Sequence, residues 1–183
     1  MKKIAMCIAA AICALSIQAK ETPLSLAFGL ADSADNLGIN LEITSPSFAR
    51  DFLVLRIESQ LDLPGLLSAY RNDPDLSWEQ FSSHRLGVAG TGGWNSDTAR
   101  LYGEFGGLAV LPPEKLTDDA AQFGIYGLFG FEFFIDSDSA SAPMLSYYLE
   151  AGTNSIFDEA ERIPGSPDYY SGFTVKTGLR WYP

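Results

Sequence analysis

Proton transfer near neutral pH is the usual work of histidine, and this chain has one, His84, in the run Ser82-Ser83-His84-Arg85. Ser82 and His84 stand two apart, so on an extended strand both project from the same face. A hydroxyl beside an imidazole begins a nucleophilic site, which needs the base in reach of the nucleophile and a third group to orient the base. The pattern does not supply an acid for that third place, because Glu104, in the next strand-like stretch, falls on the opposite parity. Without an acid partner the pattern completes no triad. His84 then reads as a histidine near a strand end, and no catalytic residue is assigned.

Other chemistries find less. Asp32/Asp35, Asp73/Asp75, Asp118/Asp119 and Asp158/Glu159/Glu161 are acidic clusters in turn-like stretches. None has the ligand spacing of an EF-hand loop, so they read as solvated surface. The two cysteines, Cys7 and Cys13, lie near the N-terminus, and neither follows a small residue as a lipoprotein signal requires. No phosphate loop, Cys/His metal cluster or basic nucleic-acid patch is present, so no cofactor, metal or nucleic-acid partner is expected.

Two features of the whole chain bound the rest. Met1-Lys2-Lys3 followed by the apolar run Ile4–Ile17, with the small Ala19 behind it, reads as a secretory signal peptide over 1–19. The remainder, 20–183, fits one domain. Without Lys2 and Lys3 it carries ten basic residues against 23 acidic ones, a charge that repels nucleic acid and anionic headgroups. No later run of 18 apolar residues exists, so strands are the remaining route across a membrane.

Strands are what the pattern offers. Alternation of apolar and polar residues predicts eight, at 24–31, 37–44, 52–58, 81–91, 100–111, 122–135, 144–153 and 172–182. Residues 59–80 break the period and read as a long loop with a helical turn near 66–70. Asp32–Asn36 reads as the first turn. Leu24, Leu26, Phe28 and Leu30 share one face of the first strand. Phe123, Ile125, Phe129, Phe131 and Phe133 share one face of the sixth. Glu42, Arg56, Glu58, Arg85, Arg100, Glu104, Glu132, Glu150, Lys176 and Arg180 all fall on the other parity, and among acidic, basic and histidine side chains His84 alone falls on the apolar one. That other face also carries Gly29, Gly38, Gly124, Gly130, Gly152 and Gly178 beside Tyr102, Tyr126 and Tyr148. A solvent-facing strand surface would carry few glycines, whereas mixed small and large residues suit the filled interior of an eight-stranded barrel. The expected fold is therefore all-β, an eight-stranded antiparallel up-and-down transmembrane barrel. Glu104, Glu132 and Glu150, on consecutive strands, are expected to meet Lys176 and Arg180 in a salt-bridged plug within its lumen.

The last stretch carries a resemblance. Lys176, Gly178 and Trp181 are similar to the C-terminal signal of bacterial outer-membrane barrels, with Pro183 where the final aromatic is expected. In organisation the chain resembles the small outer-membrane barrels of the OmpA transmembrane and OmpX type. That resemblance implies a place in the bacterial outer membrane, contact with its lipid, and recognition of the last strand by the barrel-assembly machinery. It further implies a structural or surface role, through outer loops that could meet an external ligand or host surface. A narrow conduit for small or hydrophobic solutes is the alternative. A lipid A-modifying hydrolase, as some small outer-membrane barrels are, comes third: the deacylase family has His before Ser at this spacing, the reverse of Ser82 and His84.

Overall fold

Period-2 alternation gives each segment one apolar face, and strands with one apolar face become stable only by pairing side by side and closing. The computed structural model describes residues 23–34, 36–49, 52–63, 80–95, 99–135, 144–162 and 168–183. The expected leader over 1–19 and the expected helical turn near 66–70 lie outside them. Eight strands follow in chain order: β1 Ser25–Ser33, β2 Asn36–Thr44, β3 Leu53–Leu63, β4 Phe81–Asn95, β5 Ala99–Leu111, β6 Gln122–Ile135, β7 Met144–Ile156 and β8 Gly172–Tyr182. Each pairs antiparallel with the next, and β8 returns to β1, so the sheet is a closed up-and-down barrel with no free edge.

Paired residues fix the barrel's stagger. A circuit from Ile135 through Leu145, Trp181, Leu26, Ile43, Ile57, Leu86 and Gly107 returns to β6 at Ile125, ten residues from its start. With a rise of about 3.3 Å per residue and strands about 4.8 Å apart, that stagger tilts the strands by roughly 40°. Both chain ends of the barrel, Ser25 and Tyr182, lie at one rim, here called the terminal end; the opposite rim is the distal end. Connections at the distal end span 2, 17, 10 and 15 residues, and those at the terminal end 8, 3 and 8.

The polarity is inverted relative to a water-soluble protein. Leu41, Phe105, Phe123, Phe129, Phe173 and Leu179 are exposed on the outer wall, whereas Glu132, Glu150, Lys176 and Arg180 are buried inside. Tyrosines fill the space that glycines leave. Tyr102 pairs directly with Gly130, where an added Cβ would stand 2.2 Å from the ring's Cζ, and Tyr148 pairs with Gly178.

Three expectations are corrected. β3 runs on to Leu63, because Leu61 and Leu63 continue its outward apolar parity and Gln60 and Asp62 its inward one; the polar Ser59, on the outward face, is what interrupts the pattern. β4 and β7 likewise extend, to Asn95 and Ile156. The first turn is two residues long, not five. Ala34 takes a left-handed backbone (φ 50°), and Asn36 donates to the carbonyls of Ser33 and Ala34 to hold it. Asp32 accordingly sits in β1, on the outward face at the distal end.

Candidate functional site: the lumen and the distal cap

β2, β3, β4, β5, β6, β7 and β8 each turn charged residues inward, and the ten-residue stagger brings them within reach of one another across the lumen. Lys176 Nζ lies 2.5 Å from Glu58 and 2.9 Å from Glu150. Arg180 bridges Glu132 at 3.0 Å and Glu42 at 2.8 Å, with Glu150 at 3.6 Å. Glu104, the fifth residue expected in this group, is instead held by Arg56, at 2.6 Å; Arg56 also reaches Glu150 at 2.8 Å and Glu42 at 3.5 Å. Arg85 pairs with Glu58 at 2.8 Å, and Arg100 pairs with Glu132. Five acids and five bases thus form one connected, charge-balanced column. Parity turns Arg56, Glu42, Glu58, Arg85 and Arg100 inward, but it does not tell that Arg56 is the residue that meets Glu104 across the lumen.

Neutral donors complete the column. Tyr102 donates to Glu150 at 2.5 Å, Tyr126 to Glu104 at 2.5 Å, and Tyr182 and Ser146 to Glu132, each at 2.5 Å. The Arg56 guanidinium lies 4.3 Å from the Tyr102 ring centroid and that of Arg180 lies 5.0 Å from Tyr148, close enough for cation–π attraction. Charges taken out of water are tolerable only when paired with opposite charge and hydrogen-bonded in this way. Carboxylate oxygens of Glu42, Glu58 and Glu150 lie within 4.8 Å of one another, a spacing that metal ligands share. Lys176, Arg56 and Arg180 already supply the positive charge there, so the cluster is an ion-pair centre. Toward the terminal end, Thr44, Arg56, Arg100, Tyr102 and Tyr182 help line a cavity of about 20 Å³, room for about one water.

The distal end is closed by chain. Tyr169 and Tyr170, just before β8, are buried against Phe81, with ring centroids 6.0 and 5.7 Å from it. Tyr169 donates to Gln122 at 2.7 Å, and its carbonyl accepts from Asn36 at 3.1 Å. The Tyr170 hydroxyl lies 2.7 Å from Ser83 Oγ and 3.4 Å from Asp62 Oδ2. Burial pushes the Tyr170 phenol up to about 12, with Asp62 adding to the rise and Arg85 opposing it. The connections 112–121 and 157–162 join this cap through Leu116 and Ala160. Arg162 donates from its backbone to Leu116 and from its guanidinium to Glu114 and Asp118. Parity could have extended β3 to Asp62; the inward fold of Tyr169 and Tyr170, on a loop, has no periodic signal.

The remaining expected residues lie on the wall. Gly178 faces the lumen under the Tyr148 hydroxyl, and Trp181 points outward from the last turn of pairing, with Tyr182 opposite Met144 as the final pair of β8. His84 points outward. Its Nδ1 lies 3.0 Å from Ser59 Oγ and its Nε2 lies 3.4 Å from Ser82 Oγ. Comparison with family models, with curated proteins and with solved structures gave no match.

Proposed function

We propose that the chain is an integral outer-membrane β-barrel with a structural and surface-facing role, embedded through its wall and presenting its distal loops to the exterior. The observation that carries this reading is the inverted polarity: an exposed wall of Leu, Ile and Phe around a lumen of paired charges. In water such a wall would drive association. In hydrocarbon it is the favourable surface, and a closed barrel leaves no backbone group unpaired there. The connection lengths add support, since three of the four distal connections exceed every terminal one, the asymmetry of outer-membrane barrels.

The charge column argues against the conduit. Its pairs cross the lumen at several heights and the cap closes the distal mouth, so solute passage would require breaking both. Planar-bilayer recording of the purified protein tests this, with wild type and Glu132→Ala side by side. No steady conductance from either is expected. Ohmic conductance from the wild type would replace the surface role by the conduit. Fractionation of expressing cells tests the location, and a soluble periplasmic protein would overturn the membrane reading.

A further inference from the structure

A lipid-facing wall should be free of hydrogen-bonding side chains that have no task, because each polar group set in hydrocarbon costs free energy. The wall of this barrel carries a polar island. Ser59, on β3, stands directly opposite His84, on β4, and Ser82 stands two residues distal on the same face. Apolar residues flank them on both sides and toward the terminal end. Leu61 and Leu111 pair with Ser82 on its two sides, Ala109 pairs with His84, and Leu86 and Ile57 lie on the terminal side. The island therefore sits at the distal margin of the apolar belt, with Ser82 the second residue of β4 and its neighbour Leu111 the last of β5.

Its order is that of a nucleophile, a base and an orienting group. With the Ser59 hydroxyl accepting from Nδ1–H, the lone pair of Nε2 faces the Ser82 hydroxyl, and that is the tautomer a general base needs. Ser59 escapes the sequence pattern, because its hydroxyl interrupts the alternation of β3 and it is not an acid. Ser82 and His84 are half-buried in the wall and Ser59 is exposed, so a reacting group would approach from the lipid side.

We propose that Ser82, His84 and Ser59 form an acyl-transfer site for carboxylic esters of membrane lipids, with Ser82 as nucleophile, His84 as general base and Ser59 as positioning residue. The Ser82 oxygen attacks the ester carbonyl carbon while its proton passes to His84 Nε2. Collapse breaks the ester C–O bond, and the leaving alcohol takes that proton. Water then attacks the acyl-serine, passes its proton through the same nitrogen to Ser82 Oγ, and frees the fatty acid. A neutral hydroxyl in the third place stabilises the imidazolium less than a carboxylate would, so turnover is slow. The lipid substrate, though not the chemistry of the three side chains, rests on the membrane reading above.

The test has two arms. The full chain, folded in detergent micelles, is treated with a fluorophosphonate probe and with a short-chain nitrophenyl ester, neither of which needs a bilayer. Covalent label on Ser82 is expected, with ester hydrolysis lost in Ser82→Ala and lowered about 100-fold or more in His84→Gln. Ser59→Ala is expected to lower the rate while Ser59→Thr, which keeps the hydroxyl, retains it; equal rates would remove the positioning role. Heat-modifiable gel migration confirms that each variant is folded. In the second arm, fatty-acid release is measured from phosphatidylethanolamine/phosphatidylglycerol vesicles, with and without lipopolysaccharide, which separates glycerophospholipid from glycolipid esters. An unlabelled Ser82 in folded protein, or hydrolysis undiminished in Ser82→Ala, overturns the proposal. Activity on the soluble ester with none on either lipid overturns the substrate class alone.

Discussion

Glu150 faces three cations in the lumen, more than any other described acid there. It accepts from Arg56 and Tyr102, faces Lys176 at 2.9 Å, and has Arg180 at 3.6 Å. Replacing it by Gln keeps the shape but leaves three cations facing one another with an unbalanced charge, the situation in which breaking a buried pair costs about 3–5 kcal/mol. Removing Lys176 as well, in Glu150→Gln/Lys176→Met, restores neutrality, so the double variant should be more stable than the sum of the single losses implies. Urea unfolding in micelles measures all three, and strict additivity would show that the column is not energetically connected. The first turn offers an opposite case. Ala34 has φ 50°, a region that costs an L-residue about 1 kcal/mol or more, while Gly and Asn adopt it readily. Ala34→Asn should therefore stabilise the barrel by about 0.5–1 kcal/mol in the same assay.

Within the strands, what a glycine does depends on which wall it faces. A Cβ on Gly130 would stand 2.2 Å from Cζ of Tyr102, while one on Gly107 would meet nothing within 4 Å. Gly130→Val should displace the Tyr102 ring from Glu150 and Arg56 and cost about 1–3 kcal/mol by overpacking. Gly107→Val, outward on β5, should be neutral or stabilising, since it adds apolar surface and strand propensity together. Equal effects of the two on the urea midpoint would mean that the faces are misassigned. Face assignment was the legible part of these elements, because one strand's alternation is enough to sort Glu132 from Phe131 and Phe133. Length was less legible. β3 seemed to end at Glu58 because Ser59 put a hydroxyl where the period required an apolar residue, and the cost was to miss both the inward Asp62 and the partner of His84. Pairing across the lumen was less legible: Glu150 and Lys176 stand directly opposite on neighbouring strands, whereas Glu104 meets Arg56, and not Lys176 or Arg180, for reasons of stagger that no single strand contains.

Across the whole molecule the two ends differ in how they are closed. At the terminal end the column comes near the mouth, with Arg100, Glu132 and Tyr182 bonded together under β8. At the distal end a segment of chain does the closing, and Asp168 fixes its shape by accepting from the backbone N–H groups of Tyr170 and Ser171 at 3.1 and 2.8 Å. That cap is the surface the proposed role would present, so its rigidity matters to function. Tyr170 reports on it. Its folded pKa is about 12, above the usual value near 10 because burial disfavours the phenolate. A group raised in the folded state contributes its full stabilisation below about pH 10 and loses it as pH rises through about 12. The phenolate absorbance of wild type minus that of Tyr170→Phe should therefore show one tyrosine titrating near pH 12, and the cap should loosen over the same interval. Far-UV circular dichroism should still report the barrel if the cap opens independently of it. A difference titration centred near pH 10 would place Tyr170 in water, with the distal mouth open.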